Sequence, residues 1–200
     1  LRDLMPTAPR ADSSAAQLVP FAALSAAYFA HIGFFNPYLG LWLKSLDVPL
    51  LAIGVLASVQ SFTRVFAPYL WAAVSDRTGE RVRLLRISAA AALVSSLGLW
   101  FVQAPAWIGL VLLLLFLNTS SMMSLTEAAT AHLVAGDWGR YGRVRLWGSA
   151  GFLVTVFVAG AWFERFGMAH FPAWAVATLG LVGLCCWRLP DLRESPRAHA

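Results

Sequence analysis

Six long apolar stretches, separated by gaps whose arginines fall almost wholly in alternate positions, constrain this chain more than any other feature. The stretches are Leu18–Leu43, Leu50–Val74, Leu84–Val102, Ala106–Val134, Tyr141–Phe163 and Phe171–Trp187. A bilayer core about 30 Å thick takes roughly 20 helical residues to cross, so each stretch can span it. With the N-terminal tail in the cytoplasm, Arg2 and Arg10, then Arg77, Arg81, Arg83 and Arg86, then Arg140, Arg143 and Arg145, then Arg188, Arg193 and Arg197 all fall inside. Only Lys44 and Arg165 fall outside, and Arg64 lies within a span. That split of 12 against 2 sets the orientation by the positive-inside rule. The expectation is an all-α, multi-pass protein of the plasma membrane (the bacterial inner membrane), with both ends of this segment cytoplasmic.

At 59% hydrophobic and 12% charged residues, the chain is too apolar for a soluble domain of 200 residues. Its net charge of +5 then reads as a topology signal beside anionic headgroups, with no nucleic-acid partner expected. Cys185 and Cys186 adjoin one another in the last stretch and read as small apolar packing residues, with no metal site or disulfide. The expected divisions are a tail at 1–17, a bundle of six transmembrane helices at 18–188, and the start of a cytoplasmic linker at 189–200. The outer connections are short, which predicts that consecutive helices pack as antiparallel neighbours. Pro37 and Pro68 are expected to kink or locally unwind their helices. Gly151, Thr155 and Ala159 share a face on the fifth helix, either for close helix contact or by chance in a Gly/Ala-rich segment.

Ionisable groups at membrane depth cost at least about 2.5 kcal/mol, so they face a cavity or a partner. Arg64 sits roughly 15 Å from the inner end of the second helix, and Glu127 roughly 10 Å from that of the fourth, at 1.5 Å per residue. Arg145 lies about one turn into the fifth helix, and His31 near the middle of the first. Glu127 is the sole carboxylate well inside a stretch and hence the natural partner of an arginine. With Arg145 it can bind a polar solute, the arginine fork holding hydroxyls or a carboxylate. The rival readings are a buried ion pair that fixes helix register, and an arginine that snorkels to the interface. Tyr28, His31, Phe35 and Tyr38 recur on one face of the first helix, suited to shaping a pocket or to packing.

The segment Tyr141-Gly-Arg-Val-Arg-Leu-Trp-Gly-Ser, preceded by Leu125-Thr-Glu-Ala, resembles the major facilitator superfamily, in the branch of the lactose and phenylpropionate permeases. That resemblance implies substrate-binding roles for Glu127 and Arg145. Phe152 stands where the lactose permeases carry a sugar-stacking tryptophan and keeps an aromatic platform there. Phe34-Phe-Asn-Pro-Tyr-Leu-Gly-Leu-Trp-Leu-Lys resembles the phenylpropionate permeases, as does Arg64, and adds Arg64 and His31 to the candidate contacts.

A second match follows the second stretch: Ala72-Ala-Val-Ser-Asp76-Arg-Thr-Gly79-Glu-Arg81 resembles the superfamily's gating loop at Asp76, Arg77, Gly79 and Arg81, and departs from it at Ala72 and Glu80. A carboxylate there can cap a neighbouring helix and pair with arginine, and glycine permits the tight turn. Glu80 weakens that lock or makes a different local pair.

The chain opens on Leu1 and stops in a linker-like stretch, so the expectation is the N-terminal half of a twelve-helix transporter whose second half is a partner absent from this sequence. The resemblance implies a secondary active transporter, a proton-coupled symporter of a small organic solute such as an aromatic acid or a sugar. It has no cofactor, and the proton gradient drives it. The groups that couple protons fall in the second half by the same resemblance. A six-helix receptor or assembly factor is the alternative. A membrane enzyme is the weaker rival, because no His-Glu-x-x-His pair, metal-phosphate motif or Gly-x-Ser-x-Gly elbow occurs.

Overall fold

A computed structural model describes residues 11–101, 104–134 and 137–190. Six long α-helices make up nearly all of them: α1 (Ala11–Ser45), α2 (Leu50–Thr78), α3 (Arg81–Leu97), α4 (Pro105–Val134), α5 (Trp138–Phe166) and α6 (Phe171–Trp187). All six are long and apolar enough to cross a membrane, α3 by continuing into a 3-10 turn over Gly98–Phe101 and α6 by beginning in one over Met168–His170. The expected boundaries hold to within a few residues, except that α1 is already helical from Ala11 within the expected tail. Helix α2 ends where glycine was expected to allow a turn: Gly79 is left-handed (φ 67°), and its N–H bonds Ser75 O at 2.8 Å. Asp137 starts α5 by accepting the Arg140 N–H at 3.1 Å, which satisfies one of the donors every helix start exposes.

Two expectations hold only in part. Helices α1 and α2 remain α-helical through Pro37 and Pro68, so neither is locally unwound there. Of the pairs joined by short outer connections, α3 and α4 do pack side by side, whereas α1 and α2, and α5 and α6, meet only slightly. Helix α1 packs mainly on α5 and α6, α4 on α2 and α3, and α3 on α6. A short loop ties only the ends of two helices; packing of small residues decides what lies alongside. Gly33 of α1 meets the Phe152 carbonyl, where a Cβ would sit 2.7 Å from the oxygen, and a Cβ on Gly151 of α5 would overlap the Ala26 carbonyl. The α1–α5 contact therefore needs both glycines, and Gly151 belongs to a close-contact face.

The packing maps onto itself when α1 exchanges with α4, α2 with α5 and α3 with α6. Three helices are an odd number of crossings, so the second triplet runs opposite to the first: an inverted repeat. Helices α2 and α5 are the least covered, with 17% and 22% of their apolar windows buried against 53% for α4. Apolar side chains fill the bundle in two clusters. One gathers Phe34, Phe35, Trp42, Phe116, Phe163 and Phe171, with the Trp42 and Phe171 rings stacked at 4.8 Å. The other, nearer the N-terminal end of α1, centres on Phe21, Leu24, Leu85, Met122, Val144 and Val182.

Candidate functional site

Glu127 approaches the end of α4 and Arg145 lies in the early turns of α5, so the short connection at 135–137 brings them to one level although their helices diverge. The Arg145 guanidinium donates to Glu127 Oε1. Neither side chain is buried: 46% of Arg145 and 39% of Glu127 stay accessible, so the pair borders an open cleft. A wholly enclosed pair would read as a register lock; this one is reachable by a solute.

Helix α1 supplies the rest of the wall. The Arg145 guanidinium carbon lies 5.6 Å from the centre of the Phe29 ring, a cation–π distance. Gly148, one turn beyond Arg145, makes the space for that ring: a Cβ there would come within 2.6 Å of Phe29 and 2.7 Å of Ser25 Oγ. Tyr28 donates to the Thr119 carbonyl at 3.1 Å and is within electrostatic reach of both Glu127 and Arg64. Met123, Thr126, Thr130, Tyr141 and Val144 complete the lining. The space at the floor of the cleft is only about 30 Å³, enough for roughly two waters. A solute of organic size needs a further wall that these six helices do not supply.

The remaining candidates divide. Arg64 is exposed on α2 and does not line the pocket. Phe152 is half-buried two turns beyond Arg145, outside that lining, with its carbonyl against Gly33. His31 does not join the cleft. It is 2% exposed, between the rings of Phe34 and Phe35, with Nδ1 2.9 Å from Thr178 Oγ1. Because the Thr178 hydroxyl donates to the Trp174 carbonyl at 2.8 Å, it accepts from His31, and this bond ties α1 to α6. The aromatic face of α1 likewise serves different neighbours: Phe35 packs on Phe116, and Tyr38 donates to the Val156 carbonyl at 2.9 Å.

In the segment expected to gate, Asp76 and Arg77 stand exposed at the end of α2, and Arg81 begins α3. Asp76 does not cap α3, whose N-cap is Glu80 without a side-chain bond. Glu80 instead pairs with Arg83 at 2.7 Å, the different local pair that its departure from the motif allowed. Arg86, with no role assigned from sequence, donates to the carbonyls of Cys186 (3.3 Å) and Leu189 (2.8 Å), so it holds α3 to the C-terminal end of α6.

Phe29, Gly148, Thr126 and Tyr141 are the site residues that sequence reasoning passed over. The one local signal was Gly148, a glycine a single turn past Arg145.

Bilayer-length helices in an inverted repeat, with an accessible ion pair in the bundle's cleft, define the six-helix unit of a polytopic membrane carrier. The MFS_1 like family model matches residues 22–194, and the chain belongs to that family of major facilitator transporters. It is 28% identical to the "Probable 3-phenylpropionic acid transporter" of Escherichia coli (strain K12), over 78% of this chain and 41% of that protein. It is 31% identical to the "Maltose permease" of Geobacillus stearothermophilus, over 70% of this chain and 35% of that protein. The chain thus spans well under half the length of either relative. No solved structure matches it.

Proposed function

We propose that this bundle is the N-terminal half of a proton-coupled symporter that carries a small organic solute across the plasma membrane by alternating access. The observation that carries the reading is the Glu127–Arg145 pair, open to a cleft and backed by the Phe29 ring. An arginine fork held at one end by a carboxylate keeps donors for a second acceptor, so a solute carboxylate or hydroxyl can bind it. The flanking Phe29 and Tyr28 rings favour a solute with an apolar or ring face.

Two classes fit that chemistry: an aromatic acid, in line with the phenylpropionic acid transporter, and a sugar, in line with the maltose permease. The aromatic acid is the better fit, since its carboxylate would answer Arg145 and its ring Phe29. A second six-helix half supplies the missing wall and the proton-coupling groups, and the two halves rock about the site. Asp76, Arg77, Gly79 and Arg81 sit at the helix end where such rocking is gated, and Arg64 and Phe152 contribute as the cleft closes. With the arginine-rich gaps facing the cytoplasm, the cleft opens inward.

Uptake of radiolabelled phenylpropionate and of maltose into vesicles containing the full-length protein, with and without an imposed pH gradient, tests the reading. Accumulation that collapses with the gradient supports it; transport of neither class, or uptake indifferent to the gradient, removes the coupled-symport assignment.

A further inference from the structure

The tight α1–α5 contact has a second consequence on the side that faces α6. Because Gly151 lets α5 press against the α1 backbone, the alanines of α1 form the floor of an open furrow. Ala23, Ala26 and Ala30 lie along it, with Val154 of α5 and Leu181 of α6 as walls. It holds about 680 Å³ and is almost wholly apolar. From Val19 to Ala30 it runs about 17 Å along α1, a little over half of a ~30 Å hydrocarbon core. That is the depth of one leaflet.

The mouth of the furrow is charged. Val19, Ala22 and Trp147 are shared with a second hollow of about 170 Å³, which Arg140 and Arg143 line. Arg143 is exposed. Arg140 bonds Asp137 through Nε at 3.1 Å, which turns its fork toward the same helix start. Among the described residues, Arg140 and Arg143 put two cationic groups at that mouth, the first bonded to Asp137. Trp147, 60% exposed, lies beside both hollows and joins them.

We propose that this composite groove binds one monoanionic phospholipid of the cytoplasmic leaflet, its phosphodiester on Arg143 and Arg140 and one acyl chain in the alanine furrow. The proposal uses the orientation given by the arginine distribution and is independent of the solute site. An arginine pair matches a phosphodiester in charge and in fork geometry. A furrow of this length and apolar lining suits a single acyl chain.

The test is native mass spectrometry of the detergent-purified full-length protein, titrated with phosphatidylglycerol and, separately, with phosphatidylcholine of the same chains. Phosphatidylglycerol should fill one saturable site ahead of phosphatidylcholine. Arg143→Gln should weaken that first binding about fivefold, as expected for one arginine at the surface. Ala23→Phe, which fills the furrow without touching the charges, should weaken it as well. Inorganic phosphate should not displace the lipid. Equal binding of phosphatidylcholine, unchanged binding in both variants, or displacement by inorganic phosphate overturns the proposal. So does a second copy of the chain that Ala23→Phe releases while the lipid count stays constant.

Discussion

The Arg145 guanidinium lies 5.6 Å from the centre of the Phe29 ring, so the cation is held from α1 as well as from Glu127 on α4. Side chains from three helices, α1, α4 and α5, thus converge on one cation. Arg145 is thereby positioned without being buried, which a binding group needs and a structural ion pair does not.

Removing the ring should loosen binding without abolishing it. A cation–π contact at an accessible site contributes about 0.5–1 kcal/mol, so Phe29→Ala should raise the solute concentration for half-maximal uptake about two- to fivefold. Phe29→Tyr should restore it. Concentration-dependent uptake in vesicles measures both.

Gly151 and Gly54 should respond oppositely to added side chains. Gly151→Val drives a side chain into the Ala26 carbonyl and should destabilise the α1–α5 contact by about 1–3 kcal/mol, seen as a lower melting temperature in detergent. Gly54, on α2, has nothing within 4 Å of a Cβ, so Gly54→Ala should be neutral or slightly stabilising.

His31 and Thr178 should behave as a structural pair. Either His31→Phe or Thr178→Val should cost about 0.5–1.5 kcal/mol or somewhat more, and the double variant clearly less than the sum. Half-saturation for uptake should stay within twofold in all three. A selective rise in half-saturation for His31→Phe would return His31 to the binding site.

Asp76→Asn should act on rate rather than affinity. Asp76 is exposed at the end of α2, outside the lining of the cleft, so its loss should slow uptake while solute binding to the purified protein remains unchanged. Weakened binding would contradict a gating role.

The helices were legible because each is a long apolar run bounded by charge, proline or glycine, and α6 matches its expected limits at both ends. The Glu127–Arg145 pairing was legible for a local reason: 18 residues and one short turn place the two groups at one depth. What packs beside what was not legible. Phe29 reaches Arg145 only because α1 lies on α5, a contact set by Gly33, Gly148 and Gly151 far along the chain. His31 drew attention as an ionisable group inside a span, but its partner Thr178 is 147 positions away and only the folded bundle brings them together.

The most direct test of the solute site is Glu127→Gln in the full-length protein, with accumulation of labelled solute measured beside the amount of protein in the membrane. Loss of the carboxylate charge leaves a side chain of the same size but ends the ion pair that orients Arg145. Accumulation should disappear while the protein remains in the membrane at its usual level. Uptake at the rate of the unaltered protein would contradict the central claim that this pair binds the transported solute.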